Sequence, residues 1–349
     1  MLAEFSIIEG EYLRDVLDQP RALEDSLAGL KEFEKLRELA ARLKNGDFKT
    51  VVLTGMGSSF HGLHPLHLEL IDHGFTAMMV ETSELVHYMK RLFDPKTLIV
   101  AVSQSGRSAE VVRLLEINGS KSPVIAITNT AGSPLATKAN ATILTQAGKE
   151  FSVSCKTYLA ALMALHWLGD IFCERDLRRI REELEQAAPA VQFYLAHWKD
   201  HVQSLARLLK GIRNLFLVGR GSSLAAVGTG ALIVKEAAHF HAEGMSSAAF
   251  RHGPFEMLNE ETFVLVFSGD STTRDLNRCL LEDVRKRRGR AELVGDDAVL
   301  PACSLPTVPR PIQSMLEILP VQMITLSLAA QAGREAGRFE LATKVTTTE

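Results

Sequence analysis

The chain has 349 residues, 46% of them hydrophobic and 23% charged, which is the balance of a water-facing globular protein with room for two cores. A formal charge of −3 gives no basic footprint for nucleic acid and no polybasic stretch for a membrane surface. Cys155, Cys173, Cys279 and Cys303 are scattered without a C-x-x-C pair, so neither a disulfide framework nor a zinc ribbon is indicated, and a reducing cytoplasm is the expected setting.

The first residues, Met1 to Phe5, lack the basic flank and long apolar stretch of a secretion signal. From Arg14 to Leu43 apolar residues recur at three-and-four spacing, predicting helix until Asn45-Gly46 stops it. The run Thr50-Val51-Val52-Leu53 predicts a strand that ends in Gly55-Met56-Gly57-Ser58-Ser59 and enters a helix. Leu98 to Val102 predicts a second strand, ending in Ser103-Gln104-Ser105-Gly106-Arg107-Ser108 before a helix opens at Ala109. Val124 to Ile127 is a further strand, with a helix near Leu135. Tyr158 to Phe172 is long and apolar, but His166 and Asp170 interrupt it, so it reads as a core helix and not a membrane span. Leu215 to Val218 and Phe263 to Phe267 are strands of the second half. Pro301 to Pro311, with four prolines, is a connection before a last helix, Ile312 to Gly333, that Pro320 should kink.

The two halves repeat. Gly55-Met56-Gly57-Ser58-Ser59 is answered by Gly219-Arg220-Gly221-Ser222-Ser223 after 164 residues, and the strand before Ser103 by the strand before Ser268 after 165. Two landmarks in one register indicate an internal duplication. Strands continuous in Val, Ile and Leu suit parallel sheets buried on both faces. The expected fold is α/β: two tandem flavodoxin-like domains, each a parallel sheet covered by helices on both faces, with ligands beyond the carboxyl ends of the strands. The expected organisation is a helical segment over 1–45, domains over 46–190 and 191–333, and a polar tail over 334–349.

The segment after Val102 has the chemistry of an anion cradle. Its hydroxyls and the unpaired amides of the next helical turn converge, and the helix dipole favours negative charge there. The loop has no lysine and no Gly-Lys-Ser/Thr, which speaks against a nucleotide-binding P-loop, and a small phosphate ester fits better. The matching loop of the second half carries Asp270, which would repel a phosphate.

Strand-Gly-x-Gly-Ser-Ser and strand-Ser-Gln-Ser-Gly, duplicated, resemble the double SIS (sugar isomerase) family, which includes the isomerase portion of glucosamine-6-phosphate synthase. Lys235-Glu236, His241-Ala242-Glu243 and Arg251-His252-Gly253-Pro254 resemble that family's signature with unchanged spacing. The resemblance implies that Ser58, Ser59, Ser103, Gln104, Ser105 and Ser108 hold a sugar phosphate. It implies that Glu236 moves a proton between C1 and C2, that His252 opens the sugar ring, and that Lys344 in the tail stands near the substrate carbonyl. It also implies a homodimer with active sites at the subunit interface, with His252 reaching in from the second subunit. Each role suits its side chain: a partly desolvated Glu as base, a His near neutral pH as proton relay, a Lys as polarising cation or, deprotonated, as the amine that forms an imine with the carbonyl.

His61, His64, His67 and His73, and likewise His239, His241 and Glu243, show no supporting pattern for a metal and read as packing or bracing residues, so neither metal nor cofactor is expected. Cys155 reads as a small buried residue, with a reactive thiol as the alternative. Two departures from the synthase stand out: no N-terminal nucleophilic cysteine, and Ile233 where that enzyme has a lysine. Both suit stand-alone members. The expected activity is aldose–ketose isomerisation of a 6-phosphorylated hexose or hexosamine with deamination. The alternatives are a fructosamine-6-phosphate deglycase and a non-catalytic sugar-phosphate sensor.

Overall fold

In the computed structural model, residues 5–346 and 348 are described. Nine strands are defined among them: β1 (Thr50–Gly55), β2 (Ala77–Glu81), β3 (Thr97–Val102), β4 (Val124–Thr128), β5 (Ala141–Leu144), β6 (Asn214–Gly219), β7 (Ala242–Ser246), β8 (Thr262–Phe267) and β9 (Arg290–Val294). They form two all-parallel sheets, in the orders β2-β1-β3-β4-β5 and β7-β6-β8-β9. The first is the flavodoxin-like order; the second repeats it one strand short. Where a fifth strand would lie there is only an isolated parallel bridge, Gly295 to Ser304. The prolines at 301, 306, 309 and 311 withhold the amides a ladder needs.

The chain divides into two compact units. One comprises Arg21–Glu150, Cys155–Gln186 and the residues from Ala342; the other comprises the residues up to Pro20, Phe151–Ser154 and Ala187–Leu341.

In the first unit the central strands β1, β3 and β4 are buried almost throughout, whereas the edge strand β2 alternates with exposed positions. Side chains alternate across the sheet, so Val52, Ile99, Ala101, Val124 and Ala126 share one face. They pack there with Leu85, Val111, Leu114 and Leu135 from the helices Thr82–Tyr88, Ala109–Asn118 and Pro134–Lys138. On the opposite side β4 packs on the helix Lys156–Phe172, which also packs against His64–Asp72. Each fully buried Val, Leu or Ile contributes about 1.5–3 kcal/mol, so this two-sided burial carries the sheet.

The second unit repeats the plan. Phe216, Val218, Val264, Val266, Ala291 and Leu293 pack with Phe250, Leu280 and Val284 of the helices Ser247–Arg251 and Arg274–Lys286. The helix Leu224–Ala238 lies on β6 and on the helix Leu319–Gln331. The segment Arg310–Gln331 is long and apolar enough to cross a membrane but is 94% buried within the protein, as a core element.

Three details differ from the sequence expectations. The N-terminal helical region is three helices, Glu11–Leu17, Gln19–Gly29 and Glu34–Lys44. The last helix breaks at Glu317-Ile318, and Pro320 sits in the first turn of its second part, where a missing amide does no harm. His241 and Glu243 brace no buried helix: both are exposed, flanking Ala242 at the edge strand β7, 3.7 Å apart.

Candidate active site

β1 and β3 pair directly, with Thr54 opposite Ala101, so the loops leaving their carboxyl ends, Met56–Ser59 and Ser103–Ser108, start side by side. This is the topological switch point of the first sheet, the position where such sheets bind ligands. Ser58 and Ser59 open the short helix Ser58–His61. Further along, burial and the nearby His61 and His67 hold His64 down to about 4, so His64 is neutral near pH 7.

The loop after β3 folds on its own hydroxyls. Ser103 is buried, and its Oγ accepts the Gly106 N–H at 3.1 Å; Ser105 Oγ accepts the Arg107 N–H at 3.3 Å. Gly106 has φ +60°, and a Cβ there would meet Ser133 Oγ at 2.2 Å, so the turn requires glycine. The Gln104 carbonyl accepts the Asn129 N–H at 3.0 Å and the Thr128 hydroxyl at 3.2 Å, tying this loop to the end of β4. Ser108 occupies the N-cap position of Ala109–Asn118 in extended conformation, but its side chain makes no cap bond. A simple Ser cap therefore does not explain it.

A cavity of about 630 Å³ opens at this end of the first unit, lined by Gln104, Ser105, Arg107, Asn129, Thr130, Gln146, Gly148, Lys149, Glu150, Lys344 and Val345. Of the residues singled out from the sequence it brings together Gln104, Ser105 and Lys344. Ser58, Ser59, Ser103 and Ser108 belong to the flanking loops and do not line it. The sequence reading passed over Arg107 and Lys149, which bring two exposed cations to the rim, and Glu150, which ion-pairs Lys344 at 2.8 Å. It also missed Asn129, whose Oδ1 accepts the Thr145 hydroxyl and the Ala147 N–H while its Nδ2 donates to the Gly148 carbonyl at 2.7 Å. Asn129 thereby shapes the wall formed by residues 145–148. The available signal was its position just beyond the carboxyl end of β4.

One expectation about the free amides is corrected. The Ala109 N–H, first of the cradle helix, donates to the Thr346 carbonyl of the tail at 3.1 Å. The segment Ala342–Thr346 thus lies within the first unit, against the start of that helix.

Glu236 and His252 belong to the second unit. Glu236 is half-buried near the end of Leu224–Ala238, which His239 terminates in the left-handed conformation at φ +50°. His252 is exposed and caps the C-terminus of Ser247–Arg251, its backbone N–H bonded to the Ala249 carbonyl. Ile233 is fully buried, as its apolar side chain requires.

Glu69, His73 and Cys173 bring metal-binding atoms within 4.8 Å of one another. Arg175 already bonds Glu69 at 2.6 Å and Asp170 at 2.8 Å, so a guanidinium matches the negative charge there. Cys155 is buried, its thiol 3.4 Å from Glu150 Oε1.

The chain is 29% identical over 360 residues to the isomerizing glutamine–fructose-6-phosphate aminotransferase of Pyrococcus horikoshii, an alignment spanning 100% of this chain and 59% of that protein. It therefore covers about three-fifths of the length of this curated relative. Its fold matches the C-terminal domain of glucosamine-fructose-6-phosphate aminotransferase from Francisella tularensis, with TM-score 0.83, 20% identity, and 94% and 98% of the two chains covered. It also matches tagatose-6-phosphate ketose/aldose isomerase from Escherichia coli, with TM-score 0.80, 19% identity and 98% of each chain covered. At these identities the two likenesses are of fold. A family model for the SIS domain matches residues 46–169 and 208–332, one copy for each sheet. The chain belongs to the SIS domain family, carrying two copies in tandem.

Proposed function

We propose that the protein is a phosphosugar isomerase that interconverts aldose and ketose forms of a 6-phosphorylated hexosamine and releases its amine, with glucosamine 6-phosphate as substrate. The observation that carries this reading is the cavity beyond the carboxyl ends of β3 and β4, where Ser105, Gln104 and Arg107 offer hydroxyl, amide and cationic groups to an anionic ester. The phosphate is remote from the reacting carbons, so binding energy gathered there fixes the open chain for proton transfer. The named relatives act on 6-phosphorylated hexoses or make them, which supports the substrate class.

In this reading Ser58, Ser59, Ser103, Gln104, Ser105 and Ser108 build the phosphate site. His252 carries a proton from the anomeric hydroxyl to the ring oxygen. Glu236 then takes the proton from C2 and returns it to C1, while O1 takes up a proton and the amino nitrogen gives one up, which leaves a C1 hydroxyl and an imine at C2. Water hydrolyses that imine, and ammonia and fructose 6-phosphate leave. Lys344, as an ammonium, stabilises the negative charge on the carbonyl oxygen during the transfer. The residues assigned here need neither metal nor cofactor for these steps. The proposal includes a cytoplasmic homodimer in which His252 acts on the substrate bound by the other subunit.

The test is incubation with glucosamine 6-phosphate, with ammonia and fructose 6-phosphate both measured. Equal release of the two is expected. Turnover confined to an amino-acid conjugate of fructose 6-phosphate would make the protein a deglycase. Tight binding of hexose phosphates with no turnover would make it a sensor.

A further inference from the structure

Glu150 is held from two sides. Its Oε1 accepts the backbone N–H groups of Cys155 and Thr157, both at 2.9 Å; its Oε2 accepts the Thr157 hydroxyl at 2.6 Å and the Lys344 ammonium at 2.8 Å. The carboxylate side chain is 1% exposed, and that of Lys344 is 22% exposed. Three of these four donors belong to the start of the helix Lys156–Phe172, one of the most deeply buried elements of the first unit. The carboxylate is therefore oriented by the core and presents its remaining lone pair to the tail. Two residues further on, the Thr346 carbonyl takes the Ala109 N–H. The tail segment is fastened at two points, Lys344 on a buried charge and Thr346 on a helix start, and Lys344 and Val345 line the cavity.

We propose that Glu150 is a positioning residue that docks Lys344, and with it Ala342–Thr346, so that the lysine stands at the cavity wall as a fixed ammonium. In this bond the lysine donates to the carboxylate, and the pair fixes where its Nζ stands. The docking stands on the geometry alone; only its effect on turnover rests on the proposed function.

The experiment has one readout that needs no turnover and one that does. Glu150→Gln keeps an oxygen for the Cys155 and Thr157 amides and removes the anion facing Lys344. With acetic anhydride as probe and mass spectrometry as detector, acylation of Lys344 should be slow in the wild type relative to exposed Lys31. It should accelerate about tenfold in Glu150→Gln. With glucosamine 6-phosphate, kcat should fall about 10- to 100-fold, the worth of one hydrogen bond to a charged group, while KM stays within about twofold. Lys344→Arg, which keeps a cation, should retain more activity than Lys344→Met. Unchanged acylation of Lys344 in Glu150→Gln overturns the docking. Accelerated acylation with wild-type kcat overturns the positioning role, and Lys344→Arg no better than Lys344→Met overturns the ammonium role. Accelerated acylation without turnover in any form, wild type included, upholds the docking and removes the proposed function. Should Glu150→Gln not fold, Lys344→Met decides: a lower kcat at unchanged KM supports the role, and a wild-type kcat refutes it.

Discussion

Replacing Gly106 with alanine strikes the cradle at the point where its geometry is least negotiable. The left-handed backbone at φ +60° costs an L-residue about 1 kcal/mol. The new Cβ would meet Ser133 Oγ at 2.2 Å, Ser133 Cβ at 2.7 Å and Thr128 Oγ1 at 3.0 Å. Ser133 cannot move freely, because its hydroxyl caps Pro134–Lys138 through the Ala136 N–H at 3.2 Å, and losing such a cap costs about 1 kcal/mol. Forcing a buried methyl into packed surroundings adds about 1–3 kcal/mol. Together these effects amount to about 3–5 kcal/mol. For a domain of this size that lowers the melting temperature by roughly 6–20 °C. Circular dichroism on heating measures the loss, and calorimetric titration with fructose 6-phosphate should show weaker binding, because the turn aims Ser105 and Arg107. Gly132→Ala is the control: nothing lies within 4 Å of its Cβ position, and the change should stay under about 1 kcal/mol. A Gly106→Ala variant that melts and binds like the wild type would refute the argument that this turn holds the cradle.

Ser105→Ala should raise KM for phosphorylated sugars about tenfold and leave unphosphorylated sugars unaffected; steady-state kinetics on both substrates distinguish a phosphate contact from general damage. Glu236→Gln should slow exchange of the C2 proton at least about 100-fold while the dissociation constant holds, as followed by NMR in deuterated water. Glu317 is pushed up to about 7, chiefly by burial and further by Asp270, against a Ser223 hydrogen bond that opposes the rise. The folded state then binds the extra proton more tightly than the unfolded chain, so stability falls as pH rises from about 4.5 to 7 and levels off above. Glu317→Gln should therefore be neutral at pH 4 and stabilising by about 2–3 kcal/mol at pH 8, and urea unfolding with a pH-independent difference would contradict this.

The strands were legible because the central ones are buried on both faces, which leaves uninterrupted runs such as Leu98–Val102, and because the duplication repeats Gly-x-Gly-Ser-Ser in register. Two of the edge strands were not: β2 reads Ala-Met-Met-Val-Glu with alternating exposure, and β7 has only Ala242 buried, so neither has a pattern that separates it from a loop. The cradle loop was legible from hydroxyls and glycine at a strand end. Glu150 was not, because its significance depends on partners that lie after it in Cys155 and Thr157 and far away in Lys344, and no local spacing announces such a meeting. Arg107 was read as part of the loop and not as a cation at the rim. The break at Glu317-Ile318 was hidden because Pro320 predicts a disturbance without saying whether the helix bends or restarts.

The two copies share an architecture but differ in the charge at their switch points. Both switch points offer a hydroxyl-bearing loop after the first strand. In the second unit Ser223 donates its hydroxyl to Glu317 at 2.7 Å, and Asp270 takes the Thr272 N–H at 3.0 Å and faces Arg310 at 3.6 Å. The donors there are satisfied by carboxylates of the chain itself, and a dianion brought to them would meet Asp270 at close range. In the first unit the corresponding loop is tied by Ser103 and Ser105 to its own backbone, and Arg107 and Lys149 stand at the rim of the cavity. At the second switch point the loop hydroxyl is taken by the buried Glu317; at the first the buried Glu150 is taken up by Lys344 and the start of the helix Lys156–Phe172, and Arg107 and Lys149 stand exposed at the rim.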